Sequence, residues 1–457
     1  MKILLRGGRV ASADGCRPAD ILIENDKILE VGEELKSDDA RVVSVEGKIL
    51  FPGFIDAHTH FDLHVAGTVT ADDFETGTKA AIRGGTTTVI DFGTQYPGET
   101  MKEGLANWHK KADGRSSCDY GFHMSITEWN EDLSREIDDM VAAGVTSFKL
   151  YMTYDTQVDD KTIFQVLKRL KEVRGITGVH CENSGMIAAL QEEARIKGET
   201  GVAGHPATRP AAAEAEAINR LLRLAEIAGA PVVVVHLTCE EGLKVIEEAR
   251  ERGQEVYAET CPQYLLMDDS LYYLEGFEGA RYVCAPPLRK PSDENRLWQA
   301  LKDGEIQTVS TDHCSFTLKQ KELGRDDFTK IPGGMPGVET RGILMYSEGV
   351  AAGRIDEAQM CRLLAENPAK LYGLYPRKGV LAPGSDADIV VIDPAVSDVI
   401  TVNDQITNVD YAPFEGKKVT GRIEQVYLRG ELAVDHHQVI QTGLGQYISR
   451  GTYEDCR

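Results

Sequence analysis

The sequence has no run of basic residues, no CxxC pair and no apolar stretch long enough to span a bilayer. Its 73 acidic residues outnumber 50 basic ones, for a net charge of −23. Nucleic acid and anionic membrane both need a positive footprint, so neither is an expected partner. The nine cysteines, at 16, 118, 181, 239, 261, 284, 314, 361 and 456, are odd in number and follow no framework. That scatter predicts reduced thiols, most of them buried, in a cytoplasmic protein. The start "MKILLRGGRV" is too short in apolar residues for a signal peptide. What is present is 457 residues, 42% hydrophobic and 27% charged, the composition of a globular protein with ample core.

Both ends are rich in short strands. "DILIENDKILEVG" predicts a hairpin turning at Asn25-Asp26, and "RIEQVYLRGELAVD" another turning at Arg429-Gly430. The middle alternates instead. Eight apolar strand-like runs occur: the stretch "ILFPGFIDAHTH" ending at His60, then 86–92, 120–126, 146–152, 177–182, 231–238, 255–260 and 306–313. Helical patterns lie between several of them, such as "AAAEAEAINRLLRLAEIAGA" and "EEGLKVIEEARERG", closing at Gly229 and Gly253. Eight strands alternating with helices predict an α/β fold of the (β/α)8 TIM-barrel type. No GxGxxG follows the first strand, which argues against a dinucleotide-binding sheet. The expected division is one small β-sandwich formed by residues 1–50 and 376–457, with a barrel over 51–375 inserted between them.

Barrel chemistry sits where the strands end. The first run ends in His58-Thr59-His60, the fourth carries Lys149, the fifth ends in His180, the sixth in His236 and the eighth in Asp312. His58 and His60 share one face of a strand, so both imidazoles can reach one ion. A single strand-end histidine is more often a satisfied core group than a ligand. Four histidines and an aspartate at four strand ends are a set that suits zinc or a similar divalent ion. His109, His205, His436 and His437 fall elsewhere and take no role, and His123 reads as structural. Lys149 must bury an ammonium inside an apolar strand, which is costly unless it is paired or neutralised. On the residues alone two readings stay open: a salt bridge to a strand-end carboxylate, or an amine modified into a ligand.

The motifs "PGFIDAHTHFD", "GGTTTVIDF", "SFKLYMTY", "VHCEN", "VVHLT", "ETCPQYL", "APPLR", "STDHCSF" and "PGVETR" occur in order. Together they resemble the hydantoinase/dihydropyrimidinase branch of the cyclic amidohydrolases, over essentially the whole chain. "GTVTADDFETGTKAA" and "KELGRDDFTKIP" are most similar to bacterial D-hydantoinases. The resemblance implies a (β/α)8 barrel with a small sandwich built from both termini. It implies two divalent metal ions, usually zinc, bridged by a carboxylated lysine. On this sequence His58, His60 and Asp312 would hold one ion, His180 and His236 the other, and Lys149 would bridge them. Asp312 would also carry a proton from the attacking water to the leaving ring nitrogen. Tyr154 would donate to the oxygen on which charge develops. The substrate would be a cyclic diamide, opened to an N-carbamoyl amino acid.

The resemblance also places main-chain substrate contacts at Ala285 and Gly333, where relatives commonly carry serine and asparagine. Thr340 stands where asparagine or aspartate is common. An apolar lid after His60 would use Leu63 and Val65, with Tyr151, to hold the group outside the ring. His64, where proline is more typical, is expected to face solvent. Val65 is smaller than the aromatic often found there, which leaves room for aryl substituents. A dihydropyrimidinase acting on dihydrouracil would use the same site. Dihydroorotase is disfavoured because Asp62 stands where an arginine would hold a substrate carboxylate. Allantoinase is disfavoured by Tyr154. A non-catalytic assembly protein of this fold would have lost ligands, whereas all six positions are filled here. The branch commonly forms homotetramers, and the tail "GLGQYISRGTYEDCR" resembles its subunit-contact segment.

Overall fold

The computed structural model describes residues 2–456. Eight parallel strands form a barrel: Phe54–Thr59, Thr86–Thr94, Asp119–Ser125, Ser147–Tyr151, Ile176–His180, Val232–Val234, Val256–Thr260 and Thr308–Val309. They pair in sequence order, and a parallel bridge between Thr59 and His313 brings the last strand to the first. The first three strands are buried throughout, as parallel strands covered on both faces must be. The helices between them start where capping side chains stand. Asp73, Asn130 and Asp159 each accept main-chain N–H groups of the first turn. Helix Ala211–Ala228 stops at Gly229, whose φ of 62° is the left-handed conformation that a C-cap glycine supplies.

The apolar run before His58 is two strands rather than one. Ile49–Pro52 pairs with Lys2–Ser12 and with Ile389–Val399, and only Phe54–Thr59 enters the barrel. Gly53 makes the switch: a Cβ there would stand 2.0 Å from Thr87 Oγ1. The expected boundary after residue 50 thus falls inside a strand of the terminal sheet, and we propose Gly53 as the point of change.

That sheet has nine strands drawn from both chain ends. Its two expected hairpins are present, with Asn25 at φ 56°, and Arg429 and Gly430 at 47° and 78° in their turns. Ile3, Leu5, Ile21, Ile23, Val391 and Tyr427 belong to a core separate from that of the barrel. A buried lysine joins the two units. Lys378 Nζ lies 2.7 Å from Asp119, 2.6 Å from Asp388 and 3.2 Å from Asp386. These three carboxylates have the spacing of a metal site, but Lys378 is the cation they share, with Arg429 also on Asp119 and Lys27 and Arg377 on Asp386. The C-terminal tail packs on its own barrel, with Ile448 and Arg450 buried and Ile448 N donating to Tyr120 O at 2.8 Å. No helix among the described residues is long and apolar enough to cross a membrane.

Candidate metal centre

The barrel brings the six strand-end residues to one rim. Asp312 Oδ1 lies 3.2 Å from His58 Nε2 and 3.0 Å from His60 Nε2. Ligand atoms of these three lie within 4.8 Å of one another, close enough to share one ion. The His236 ring is 5.4 Å from that of His58 and 4.5 Å from that of His180, so the second pair stands beside the first group. Lys149 Nζ reaches His58 Nε2 at 3.5 Å, with the Phe92 ring at 4.8 Å and the Tyr151 ring at 5.2 Å. Among the described residues it forms no ion pair with a carboxylate, so the salt-bridge reading of this lysine finds no partner. Burial pushes Lys149 down to about 8, against the pull of Asp312 and Glu259. About a tenth of the side chain is therefore neutral amine at pH 7, against well under a thousandth for an ordinary lysine.

The imidazoles suit a metal in protonation as well as position. Burial holds His60 down to about 4 and keeps His180 and His236 below their ordinary value, so these rings are neutral, the ligand form. Burial and Lys149 also oppose protonation of His58, but Glu259 and Asp312 outweigh them. His60 Nδ1 and His236 Nδ1 are buried with no hydrogen-bond partner. Leaving such atoms unsatisfied costs about 1–3 kcal/mol each, so the rim holds polar atoms that the chain itself leaves unpaired. Three of the site residues, Tyr154, His236 and Asp312, hold positive φ angles of 71°, 40° and 51°. Non-glycine residues in that region are strained and cluster at functional sites.

A supporting row is not singled out by the sequence reading. His58 Nδ1 donates to Glu259 Oε1 at 2.6 Å, which leaves Nε2 facing Asp312 and Lys149. His180 Nε2 meets Glu182 Oε2 at 2.8 Å, and Arg209 holds the same oxygen. Burial would raise Glu182, but Arg209 and His180 keep it down to about 2. Asp91 accepts from Thr59 Oγ1, Phe61 N and Trp108 Nε1 at 2.8, 2.9 and 2.9 Å, gripping the chain on both sides of His60. Arg341 of "PGVETR" donates to Ile55 O and Val309 O at 2.8 and 2.9 Å, stapling the first strand to the last. The signal for Glu259 and Glu182 was available: each is a carboxylate at the end of an apolar strand run. Glu259→Gln is expected to keep the fold and weaken metal binding about 10- to 100-fold. Titration against a competing chelator measures it, and unchanged affinity would remove Glu259 from the account.

At the rim, the Tyr154 ring lies 5.0 Å from that of His180, and the residue is 41% exposed. The expected lid is a small hairpin. His64–Val65 pairs with Thr68–Val69 around Ala66 and Gly67, at φ 51° and 74°. Leu63 is half-buried and Val65 exposed, as is His64, in line with the expectation for that residue. Ala285 is half-buried and Gly333 exposed. Their segments are tied together by Gly334 N donating to Val283 O at 2.9 Å. The Gly333 segment is tied in turn to the loop beyond Asp312 by Cys314 N donating to Met335 O at 3.2 Å.

A model of the amidohydrolase family matches residues 49–433. The chain belongs to the amidohydrolase family. Within it, the chain falls in the hydantoinase/dihydropyrimidinase branch. It is 44% identical to the D-hydantoinase of Geobacillus stearothermophilus over 99% of this chain and 97% of that one. It is 40% identical to the D-phenylhydantoinase of Escherichia coli O81 (strain ED1a), over 98% of each. The crystal structure of the dihydropyrimidinase from Brevibacillus agri NCHU1002 superposes with a TM-score of 0.98 at 44% identity, over 99% of each chain. Amidohydrolase membership implies a binuclear metal centre, and the cluster around Asp312 is its candidate.

Proposed function

We propose that this amidohydrolase opens 5-monosubstituted hydantoins to N-carbamoyl amino acids. The observation that carries the reading is the meeting, at one barrel rim, of four buried imidazoles, Asp312 and a buried lysine that forms no carboxylate ion pair among the described residues. The neutral Lys149 amine would add to CO₂: a nitrogen–carbon bond forms, a proton leaves, and the side chain ends as a carboxylate. That change removes a costly buried cation and supplies an anionic oxygen ligand. His58, His60 and Asp312 would then hold one divalent ion, His180 and His236 the other, with Lys149 shared. When bound, two such ions, zinc in this reading, acidify a water and polarise a ring carbonyl.

The remaining steps fall to the chain's own residues. Asp312 takes a proton as water adds to the carbonyl carbon and returns one to the ring nitrogen as the carbon–nitrogen bond breaks. Tyr154 donates to the oxygen where negative charge grows. Ala285 and Gly333 offer main-chain groups to the ring, so the side chains that relatives carry there are dispensable. Leu63, Val65 and Tyr151 face the substituent. The free cysteines support a cytoplasmic enzyme, and the branch resemblance supports a homotetramer.

A second reading, hydrolysis of dihydropyrimidines, is favoured by the likeness to the Brevibacillus agri dihydropyrimidinase. Steady-state turnover of phenyl-, methyl- and unsubstituted hydantoin and of dihydrouracil separates the two, with chiral analysis of the products. The expected order puts phenylhydantoin first in kcat/KM, with a D-product. A preference for dihydrouracil would establish the second reading, and a preference for the unsubstituted hydantoin would overturn the role given to Val65.

A further inference from the structure

Lys321 is fully buried, yet the chemistry above gives it nothing to do. Its Nζ donates to three main-chain carbonyls: Val283 O at 2.9 Å, Pro332 O at 2.7 Å and Gly334 O at 2.8 Å. An ammonium has three N–H donors, so all are used. Burial pushes the group down to about 7, so a lysine is held here at a cost. The three carbonyls are not scattered. Val283 stands two residues before Ala285, and Pro332 and Gly334 bracket Gly333. Val283, Pro332 and Gly334 are buried while Ala285 is half-buried and Gly333 exposed. The lysine thus grips both substrate-facing segments from their buried side.

Neighbouring features hold the same arrangement. Gly334 sits at φ 147°, and a Cβ there would lie 2.3 Å from Cys314 O, so the segment rests directly on the loop that follows Asp312. Lys321 ends the short helix Leu318–Lys321, and the preceding residue, Gln320, donates from Nε2 to Thr68 Oγ1 at 2.8 Å and Val69 O at 2.7 Å. One turn of helix therefore touches the lid and both ring-contacting segments.

We infer that Lys321 is a positioning residue that sets the spacing between the main-chain groups of Ala285 and Gly333, and so fixes how the substrate ring is held. This rests on the cyclic-amide reading above. A lysine suits the task because its ammonium turns three donors outward from one point, whereas an arginine presents a planar fork.

The test compares Lys321→Met and Lys321→Gln with the wild type, as full-length, zinc-loaded enzymes, on unsubstituted hydantoin and phenylhydantoin. Metal content should not change. KM is expected to rise about tenfold or more in K321M while kcat moves less than about threefold, the signature of lost binding common to ground and transition states. K321Q keeps two donors and should fall between. Both substrates should shift by one factor, because the ring rather than its substituent is what is held. Lower stability with a wild-type KM would make the lysine merely structural and overturn the inference, as would failure of both variants to fold. A wild type that opens no cyclic amide would overturn the cyclic-amide reading and this inference with it. An active wild type with unchanged KM in both variants would overturn the inference alone.

Discussion

Lys149→Met is expected to lower turnover by about 10²- to 10³-fold, the order lost when a single charge-stabilising group leaves an active site. Metal content should fall from two ions per chain to one or none. Methionine is apolar and of similar length, and Lys149 is 1% exposed between Phe148 and Leu150, so the strand should stay packed. The loss would therefore be chemical rather than structural. Among the described residues the wild-type lysine forms no ion pair with a carboxylate, and burial already makes part of it neutral. A role in packing alone predicts the reverse: an apolar replacement would be neutral or stabilising and would leave both ions bound. Metal analysis and turnover measured on the same preparation decide between these outcomes.

Lys378→Met should destabilise the fold by about 3–5 kcal/mol, the usual loss when one partner of a buried ionic group is removed. Asp119, Asp386 and Asp388 would keep their burial and lose the cation that lies within 3.2 Å of all three. Asp119 opens a barrel strand, while Asp386 and Asp388 lead into the terminal sheet, so the join between the two units is what weakens. The pH dependence has a definite sign. Burial already raises Asp388 above the ordinary carboxylate value, even beside Lys378. Without the lysine its folded value rises further, the folded state binds more protons than the unfolded state, and stability climbs as pH falls. The deficit of the variant should thus be larger at pH 8 than at pH 5. Thermal unfolding at the two pH values measures it. A deficit that grows on acidification would contradict the account.

The proposed metal ligands are legible in the sequence because they break apolar runs. A histidine or lysine inside "FIDAHTH", "SFKLYM" or "VVVVH" has no solvated face to go to, so its position signals a task. The pairing of strands is less legible. "ILFPGFIDAHTH" is apolar through Gly53, and nothing in its periodicity shows that Ile49–Pro52 serves one sheet and Phe54–Thr59 another. The strand pairings reveal it, and the close approach of Thr87 shows why glycine stands at position 53. Lys321 and Lys378 are hidden for the opposite reason. "TLKQKELGRDD" and "YPRKGV" look like solvated surface, and burial of these two charges depends on carbonyls and carboxylates brought from distant segments. The role of Tyr154 comes from the family resemblance, since an aromatic at a strand end is otherwise ordinary; the structure adds its place beside His180 and its positive φ.

The central claim is that Lys149 works as a carboxylate. Carbon NMR of the zinc-loaded enzyme, prepared with isotope-labelled bicarbonate, tests it most directly. The account predicts one carbamate signal per chain in the wild type and none in Lys149→Met. A wild type that binds both ions and opens hydantoins without that signal would contradict it.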